Sequence, residues 1–156
     1  MVRIENSVFI AAPASTVWAI ITDFASYGEW NSFITAVASP VPLSETTVGT
    51  PTTITVAPTQ PGGKPAQYHN TISVFNPGRE MRWWGTMVHS AIFRAEHWCT
   101  LEETTVDGVK GTKFTQGEKF TGCLPPLANA LSSAFKDLEQ GHLRMNAELK
   151  RYAEGK

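Results

Sequence analysis

Alternating apolar and polar residues predict that the chain begins with a strand. In residues 2–10 an apolar side chain recurs at every second position except Asn6, which is the period of a half-buried strand. Pro13 suits the first turn of a helix that continues to about Thr22. A second short helical segment, residues 24–29, is broken by Gly28 before the chain turns. The first thirty residues therefore predict one strand followed by two short helices.

The segment from residue 33 to residue 121 consists of strand and turn patterns. β-Branched and alternating stretches predict strands at residues 53–56, 68–75, 81–88, 92–103 and 112–121. Asp107-Gly108 is a strong hairpin signal between the last two of them. Because the connections are short, we expect neighbouring strands to pair antiparallel.

The longest periodic segment, residues 127–152, predicts an amphipathic helix weakened only by Gly141. Its apolar stripe advances by three or four residues and comprises Leu127, Leu131, Phe135, Leu138, His142, Met145 and Leu149. A sheet with one apolar face and a helix with one apolar stripe are stable when they bury them together. The predicted fold is therefore α+β, with a curved antiparallel sheet of about seven strands wrapped around the C-terminal helix in one domain, residues 1–156.

Composition and charge argue against several classes of function. The net charge is −1 without a basic cluster, so we expect no binding to nucleic acid. Neither Cys99 nor Cys123 lies in a metal-binding spacing, and no glycine-rich nucleotide loop is present, so we expect no metal and no cofactor. No apolar run approaches the length of a membrane span or of a signal peptide. We therefore expect a cytoplasmic protein and leave a homodimer open.

Four stretches in the chain carry a resemblance to a known superfamily. AAPASTVWAIITDFASYGEWNSFI, AEHWCTLEE, GTKFTQGEKFTG and RMNAELKRYAE follow one another in this order. They resemble the opening, the late strand, the last hairpin strand and the final helix of the SRPBCC superfamily, which includes START-related, polyketide cyclase and birch-pollen-allergen-like helix-grip proteins. The resemblance implies a hydrophobic pocket between sheet and helix, and it suggests secondary metabolism. Since the superfamily includes both enzymes and carriers, it does not specify a reaction.

Strand parity directs a histidine and a glutamate toward that pocket. His97 shares a face with Cys99, and Glu118 shares a face with Phe120. The Asp107-Gly108 turn joins their strands, so the two side chains are candidate cross-strand neighbours. Two interpretations stay open, namely a hydrogen-bonded pair that stabilises the core and an acid/base pair that handles protons.

Further candidates follow from the same parity and from the helix stripe. His142 is either a hydrogen-bonded core residue or a third proton-handling group, and Tyr68 completes the candidate catalytic set. The candidate substrate-contacting residues are Trp30, Phe33, Asn70, Trp83, Arg94, Cys99, Phe120, Phe135, Leu138 and Met145. Trp83 either fills the core or stacks on an aromatic substrate. Arg94 either lies at the surface or binds a carboxylate or enolate oxygen, and Trp30 is either a hinge or part of the pocket mouth.

Three functions are compatible with these patterns. We favour a cofactor-independent enzyme that cyclises, isomerises or dehydrates a polyketide-like or aromatic molecule, because ionisable groups inside an apolar pocket suit acid/base catalysis. The alternative is a non-catalytic carrier of a lipid or aromatic metabolite, which needs no such groups. A protein-interaction domain that uses the outer surface is the weakest, because no exposed apolar run is evident.

Overall fold

A computed structural model describes residues 2–58, 62–86, 94–122 and 132–156. Strand β1 (Val2–Ile10) leads into helix α1 (Ala14–Thr22), a 3₁₀ turn (Phe24–Ser26) and the one-turn helix α2 (Tyr27–Trp30). The remaining elements, apart from a short 3₁₀ turn (Leu43–Glu45), are β2 (Ile34–Ala38), β3 (Pro51–Val56), β4 (Ala66–Asn76), β5 (Glu80–Thr86), β6 (Arg94–Val106), β7 (Val109–Thr121) and α3 (Ser132–Glu154). The two short helices after the first strand and the long C-terminal helix confirm the predicted order.

The seven strands form one antiparallel sheet in the order β1-β7-β6-β5-β4-β3-β2. β1 pairs with β7 along its whole length, from Val2 opposite Phe120 to Ile10 opposite Thr112. The sheet curls around α3, which contacts β1 and β7 of the sheet and also α1 and α2. The predicted α+β helix-grip fold is therefore confirmed.

The β6–β7 hairpin sets the register of these two strands. Asp107 and Gly108 have φ angles of 50° and 79°, the left-handed conformation that a two-residue type I′ turn requires. From this turn the pairing runs without a shift to Arg94 opposite Thr121, and it places His97 directly opposite Glu118. The prediction that these two residues are cross-strand neighbours is confirmed.

Helix α3 buries its apolar stripe on the concave face of the sheet. Met145 and Leu149 are fully buried there, together with the more polar His142. A Cβ atom on the neighbouring Gly141 would overlap the ring of Phe33. This glycine therefore permits a close approach of helix and ring, which explains a residue that lowers helix propensity.

The sequence pattern located most strands but not all of their ends. Strand β2 carries an irregularity in pairing between Ile34 and Ala36, and such a bulge breaks the alternation by which strands are recognised. Val88, Ile92 and the helix positions Leu127 and Leu131 lie outside the described residues. Among the helices that the structure describes, none is long and apolar enough to cross a bilayer.

Candidate active site

A cavity of about 330 Å³ lies between strands β2–β7 and the first half of α3. This volume is within the range of about 300–1,000 Å³ that is usual for small-molecule pockets. Aromatic and aliphatic side chains make up most of the wall. Of all the lining residues, those that the sequence predicts to contact a substrate are Phe33, Asn70, Trp83, Phe120, Phe135 and Leu138.

The four candidate catalytic residues also line this cavity. Tyr68 is 37% exposed, which places it at the rim. The side chain of His142 reaches Glu118 from the helix, with 3.7 Å between Nε2 and Oε2. The ring centroids of His97 and His142 are 5.3 Å apart. Two strands and the helix thus bring three ionisable groups together on one wall.

His97 is held in one orientation by a hydrogen-bonded chain that leads to α3. Its Nε2 atom lies 3.1 Å from Oε1 of Gln116, and the amide nitrogen of Gln116 donates to the backbone oxygen of His142 and to Oδ1 of Asn146. Because a backbone oxygen only accepts hydrogen bonds, the Gln116 amide cannot be reversed. Its Oε1 therefore accepts a hydrogen bond from the Nε2–H group of His97, and Nδ1 of His97 carries the free lone pair.

Burial keeps both imidazoles uncharged. His97 is 4% exposed, and desolvation lowers its pKa to about 4 although the hydrogen bond to Gln116 acts in the opposite direction. Desolvation and the nearby His97 lower the pKa of His142 to about 3. Their Nδ1 atoms are buried without a hydrogen-bond partner in the described part of the chain. At neutral pH the site therefore contains two neutral bases.

Burial shifts the pKa of Glu118 upward, whereas it shifts the pKa values of the two histidines downward. Desolvation raises the pKa of its carboxyl group to about 7, because an ionised carboxylate is costly in apolar surroundings. The side chain keeps 18% of its surface accessible, and it lines the cavity. At neutral pH a substantial fraction of Glu118 is a neutral acid that can donate a proton into the cavity.

His97 and Glu118 do not form a hydrogen bond with each other, so the interpretation of the two as a bonded core pair is not supported. The hydrogen bond of His97 goes to Gln116, whereas the neighbour of the Glu118 carboxyl is His142. Trp83 fills core space, since it is 3% exposed and its ring stacks on His97 with centroids 4.6 Å apart. It also lines the cavity.

Four candidate substrate-contacting residues lie outside the described cavity lining. Cys99 and Met145 are fully buried in the core. Trp30 packs between Tyr27 and Tyr152, with ring centroids 5.1 and 6.3 Å away. Arg94 lies 4.3 Å above the ring of Trp84. These placements favour core packing for Cys99, Met145 and Trp30, and a surface position for Arg94.

Gln116 and Asn146 are the residues that the sequence interpretation missed. Both are buried, at 0% and 3% exposure. Two sequence features could have identified them. Gln116 is two residues before Glu118 and therefore shares its face of the strand, and Asn146 is four residues after His142 on the helix. Glutamine and asparagine do not titrate at accessible pH, so they escape a search for acids and bases.

The tautomer of His97 is directly measurable. We expect ¹⁵N chemical shifts of His97 to show a protonated Nε2 and an unprotonated Nδ1 between about pH 5 and pH 8, because the pKa of this ring is about 4. Replacing Gln116 with leucine removes the acceptor and should give a mixture of tautomers. A protonated Nδ1 in the unmodified protein would contradict the assigned hydrogen-bonded chain.

Among the residues that the structure describes, no group of three His, Cys, Asp or Glu side chains is arranged to hold a metal ion.

Solved structures of similar fold cover nearly the whole chain. The Zhui aromatase/cyclase from Streptomyces sp. R1128 is 14% identical, with 98% of this chain and 93% of that chain covered and a TM-score of 0.69. The di-domain ARO/CYC StfQ from the steffimycin biosynthetic pathway is 11% identical, with 99% of this chain but 51% of that chain covered and a TM-score of 0.74. A START superfamily protein from Mycobacterium smegmatis is 15% identical, with coverages of 96% and 98% and a TM-score of 0.61.

At these identities the structural likeness establishes the fold alone. No curated protein sequence matches the chain significantly. The profile of a family described as polyketide cyclase / dehydrase and lipid transport matches residues 1–154. This match agrees with the resemblance found in the sequence and with the helix-grip fold. The chain therefore belongs to the polyketide cyclase/dehydrase and lipid transport family.

Proposed function

We propose that this protein binds a hydrophobic, polyketide-like or aromatic ketone in its cavity and catalyses a cofactor-independent cyclisation, isomerisation or dehydration. The observation that carries the proposal is the meeting of a carboxyl group whose pKa is near 7 with two neutral imidazoles on one cavity wall. Groups whose environments move their pKa values in opposite directions are the usual signature of an acid and a base that work together.

The three reaction types share a first step, which is removal of a proton from carbon next to a carbonyl group. In our proposal, Glu118 donates its proton to the carbonyl oxygen while Nδ1 of His97 accepts the proton from the adjacent carbon. The substrate becomes a neutral enol, Glu118 becomes a carboxylate and His97 becomes an imidazolium. Return of the two protons resets the site, so no oxidant or cofactor takes part.

The positions of the two groups support this division of roles. His97 and Glu118 are directly opposite each other on adjacent strands, so a small carbonyl compound can contact both. Gln116 leaves Nδ1 of His97 with its lone pair free. Because this atom is buried in the unliganded protein, the proposal requires the adjoining wall to move aside when the ketone binds. Proton transfer by a positioned acid or base typically accelerates a reaction by about 10²–10⁴-fold.

The apolar wall supports binding of a flat ring system. Trp83, Phe33, Phe120 and Phe135 all line the cavity, and aromatic side chains bind flat apolar molecules through burial and ring contacts. Two of the structurally similar proteins are named as aromatase/cyclases, which favours the same class of substrate here. A shaped apolar cavity also holds a flexible precursor in a reactive conformation.

The shared first step is testable before the natural substrate is identified. We expect the protein to accelerate exchange of the α-protons of α-tetralone with solvent deuterium at pH 6, followed by ¹H NMR. α-Tetralone is a neutral bicyclic ketone that matches the apolar wall and offers one carbonyl oxygen to Glu118. His97→Phe, which keeps a flat ring but removes the base, should reduce exchange to the buffer rate.

A binding control separates a catalyst from a carrier. Calorimetric titration of the same ketone shows whether the cavity is occupied in each variant. Binding without any acceleration of exchange by the unmodified protein would favour a carrier and contradict catalysis. Absence of both binding and exchange would contradict the proposed ligand class as well.

A further inference from the structure

The cavity wall carries carboxyl groups but no lysine or arginine. Glu118 and Asp137 line it, whereas none of the thirteen lysine and arginine side chains does so. Every lysine and arginine of the chain belongs to the described residues, because Met1 and the segments 59–61, 87–93 and 123–131 contain neither. The wall therefore has no permanent positive charge.

The arginines of β5 and β6 are engaged on the other face of the sheet. Arg94 lies over the ring of Trp84, at 4.3 Å from its centroid, with Glu96 3.9 Å away. Arg82 is paired with Glu80 and Glu96. In a strand, neighbouring side chains point to opposite faces, so Arg82 and Arg94 cannot turn inward without a change of register.

A ligand with a carboxylate would lose its hydration in this cavity without gaining a cationic partner. An unpaired buried charge is among the costliest groups that a protein can accommodate. His97 and His142 give no compensation, since both imidazoles are neutral at physiological pH. The ring of His69, the third lining histidine, lies on the other face of β4, where its Nδ1 atom is 3.0 Å from the hydroxyl of Thr53. A carbonyl or hydroxyl oxygen, by contrast, can accept the hydrogen bond that protonated Glu118 offers.

We propose that the cavity selects uncharged aromatic ligands that carry a carbonyl or hydroxyl oxygen, and that it discriminates against ligands that carry a carboxylate. The inference rests on the proposed function and specifies its substrate class. It makes free fatty acids and aromatic acids poor ligands, although their apolar parts suit the wall equally well. It also requires that any acid group of a natural precursor be absent or masked before this protein acts.

Three naphthalene probes of similar size test this selection at pH 6 by calorimetric titration. We expect 2-acetylnaphthalene, a neutral ketone, to bind at least about tenfold more tightly than 2-naphthoate, a carboxylate. It should likewise bind more tightly than 2-naphthylmethylammonium. Tighter or equal binding of the carboxylate would overturn the inference, and so would preferential binding of the ammonium probe.

A cation introduced at the rim should weaken the discrimination against a carboxylate. Ala134 lines the cavity from an exposed position on α3, so Ala134→Lys is compatible with folding. We expect this variant to bind 2-naphthoate about tenfold more tightly than the unmodified protein does. Ala147→Lys, an exposed substitution on the same helix outside the cavity lining, should leave naphthoate binding unchanged.

The outcomes distinguish this inference from the proposed function. Equal binding of ketone and carboxylate, together with α-proton exchange, would overturn charge selection and leave the catalytic proposal in place. Failure of all three probes to bind would overturn both, because an apolar aromatic ligand would then have no place in the cavity. An unchanged naphthoate affinity in Ala134→Lys would also count against the inference.

Discussion

Replacement of Glu118 with glutamine is expected to slow the α-proton exchange of α-tetralone by about 10²–10⁴-fold. The amide keeps the size of the side chain and can donate a hydrogen bond, but it cannot deliver a proton to the carbonyl oxygen. The ketone should therefore still bind, with a Kd within about threefold of the unmodified value. Exchange rates by NMR and calorimetric Kd values measured on the same samples check both expectations.

A second carboxyl of the same hairpin provides the matched control. Glu102 is exposed on β6, so Glu102→Gln removes one negative charge without touching the cavity. The Glu102→Gln variant should catalyse exchange of the α-protons of α-tetralone at the same rate as the unmodified protein. Equal slowing in both variants would assign the effect to the overall charge of the protein and would remove Glu118 from the proposed mechanism.

The glutamine variant should also be more stable than the unmodified protein at pH 8. The folded-state pKa of Glu118 lies above its ordinary value, so the stability associated with the acid form is present below about pH 4.5 and is lost as the pH rises through about 7. Each pKa unit corresponds to about 1.4 kcal/mol, which gives a gain of up to about 3 kcal/mol in the free energy of unfolding. Urea unfolding should show this gain at pH 8 and none at pH 4, whereas a destabilised variant at pH 8 would contradict the raised pKa.

Replacement of Leu149 with alanine is expected to destabilise the fold by about 2–5 kcal/mol. Leu149 is fully buried where α3 lies on the sheet, so the shorter side chain leaves a cavity that the sheet cannot close. The free energy of unfolding from urea titration measures the loss. It is the largest single stability effect that we predict for the helix.

The same helix offers a leucine for comparison. Leu143 is 42% exposed, and Leu143→Ala should change the free energy of unfolding by less than about 1 kcal/mol. Because both substitutions have the same effect on helix propensity, the difference between them isolates burial against the sheet. Similar losses in the two variants would contradict the described orientation of α3.

Much of the fold was predictable because its elements follow simple periods. The alternation in residues 2–10 and the helical stripe through Phe135 and Leu149 each have one buried side, which hydrophobic burial enforces. Asp107-Gly108 also fixed the register of β6 and β7, since a two-residue turn leaves one way to pair them. That register alone predicts the juxtaposition of His97 and Glu118.

The partners of the site residues were not predictable in the same way. The alternation of side chains along a strand predicts which face each one occupies. It does not decide whether His97 forms a hydrogen bond with Glu118 or with Gln116, which is two residues earlier on β7. That choice depends on where α3 places the backbone oxygen of His142 and the side chain of Asn146. Such contacts between sheet and helix have no local sequence signal.

The position of Arg94 illustrates the same limit. The residue is at the beginning of β6, and its charge made it a plausible partner for a carboxylate or an enolate. The structure places its guanidinium over Trp84 on the outer face, a cation–π contact that depends on side chains from two strands. Because this cation is not on the wall, we propose that the cavity favours a neutral ketone over a carboxylate.

The central claim is that Glu118 acts as a proton donor together with neutral His97, and the pH dependence of α-tetralone exchange tests it most directly. The account predicts a bell-shaped kcat/KM, highest between about pH 4 and pH 7, because the pKa of His97 is about 4 and that of Glu118 is about 7. Above pH 7 the rate should fall about tenfold per pH unit as Glu118 ionises. A rate that stays constant or rises up to pH 9, in a protein that circular dichroism shows to be folded, would contradict it.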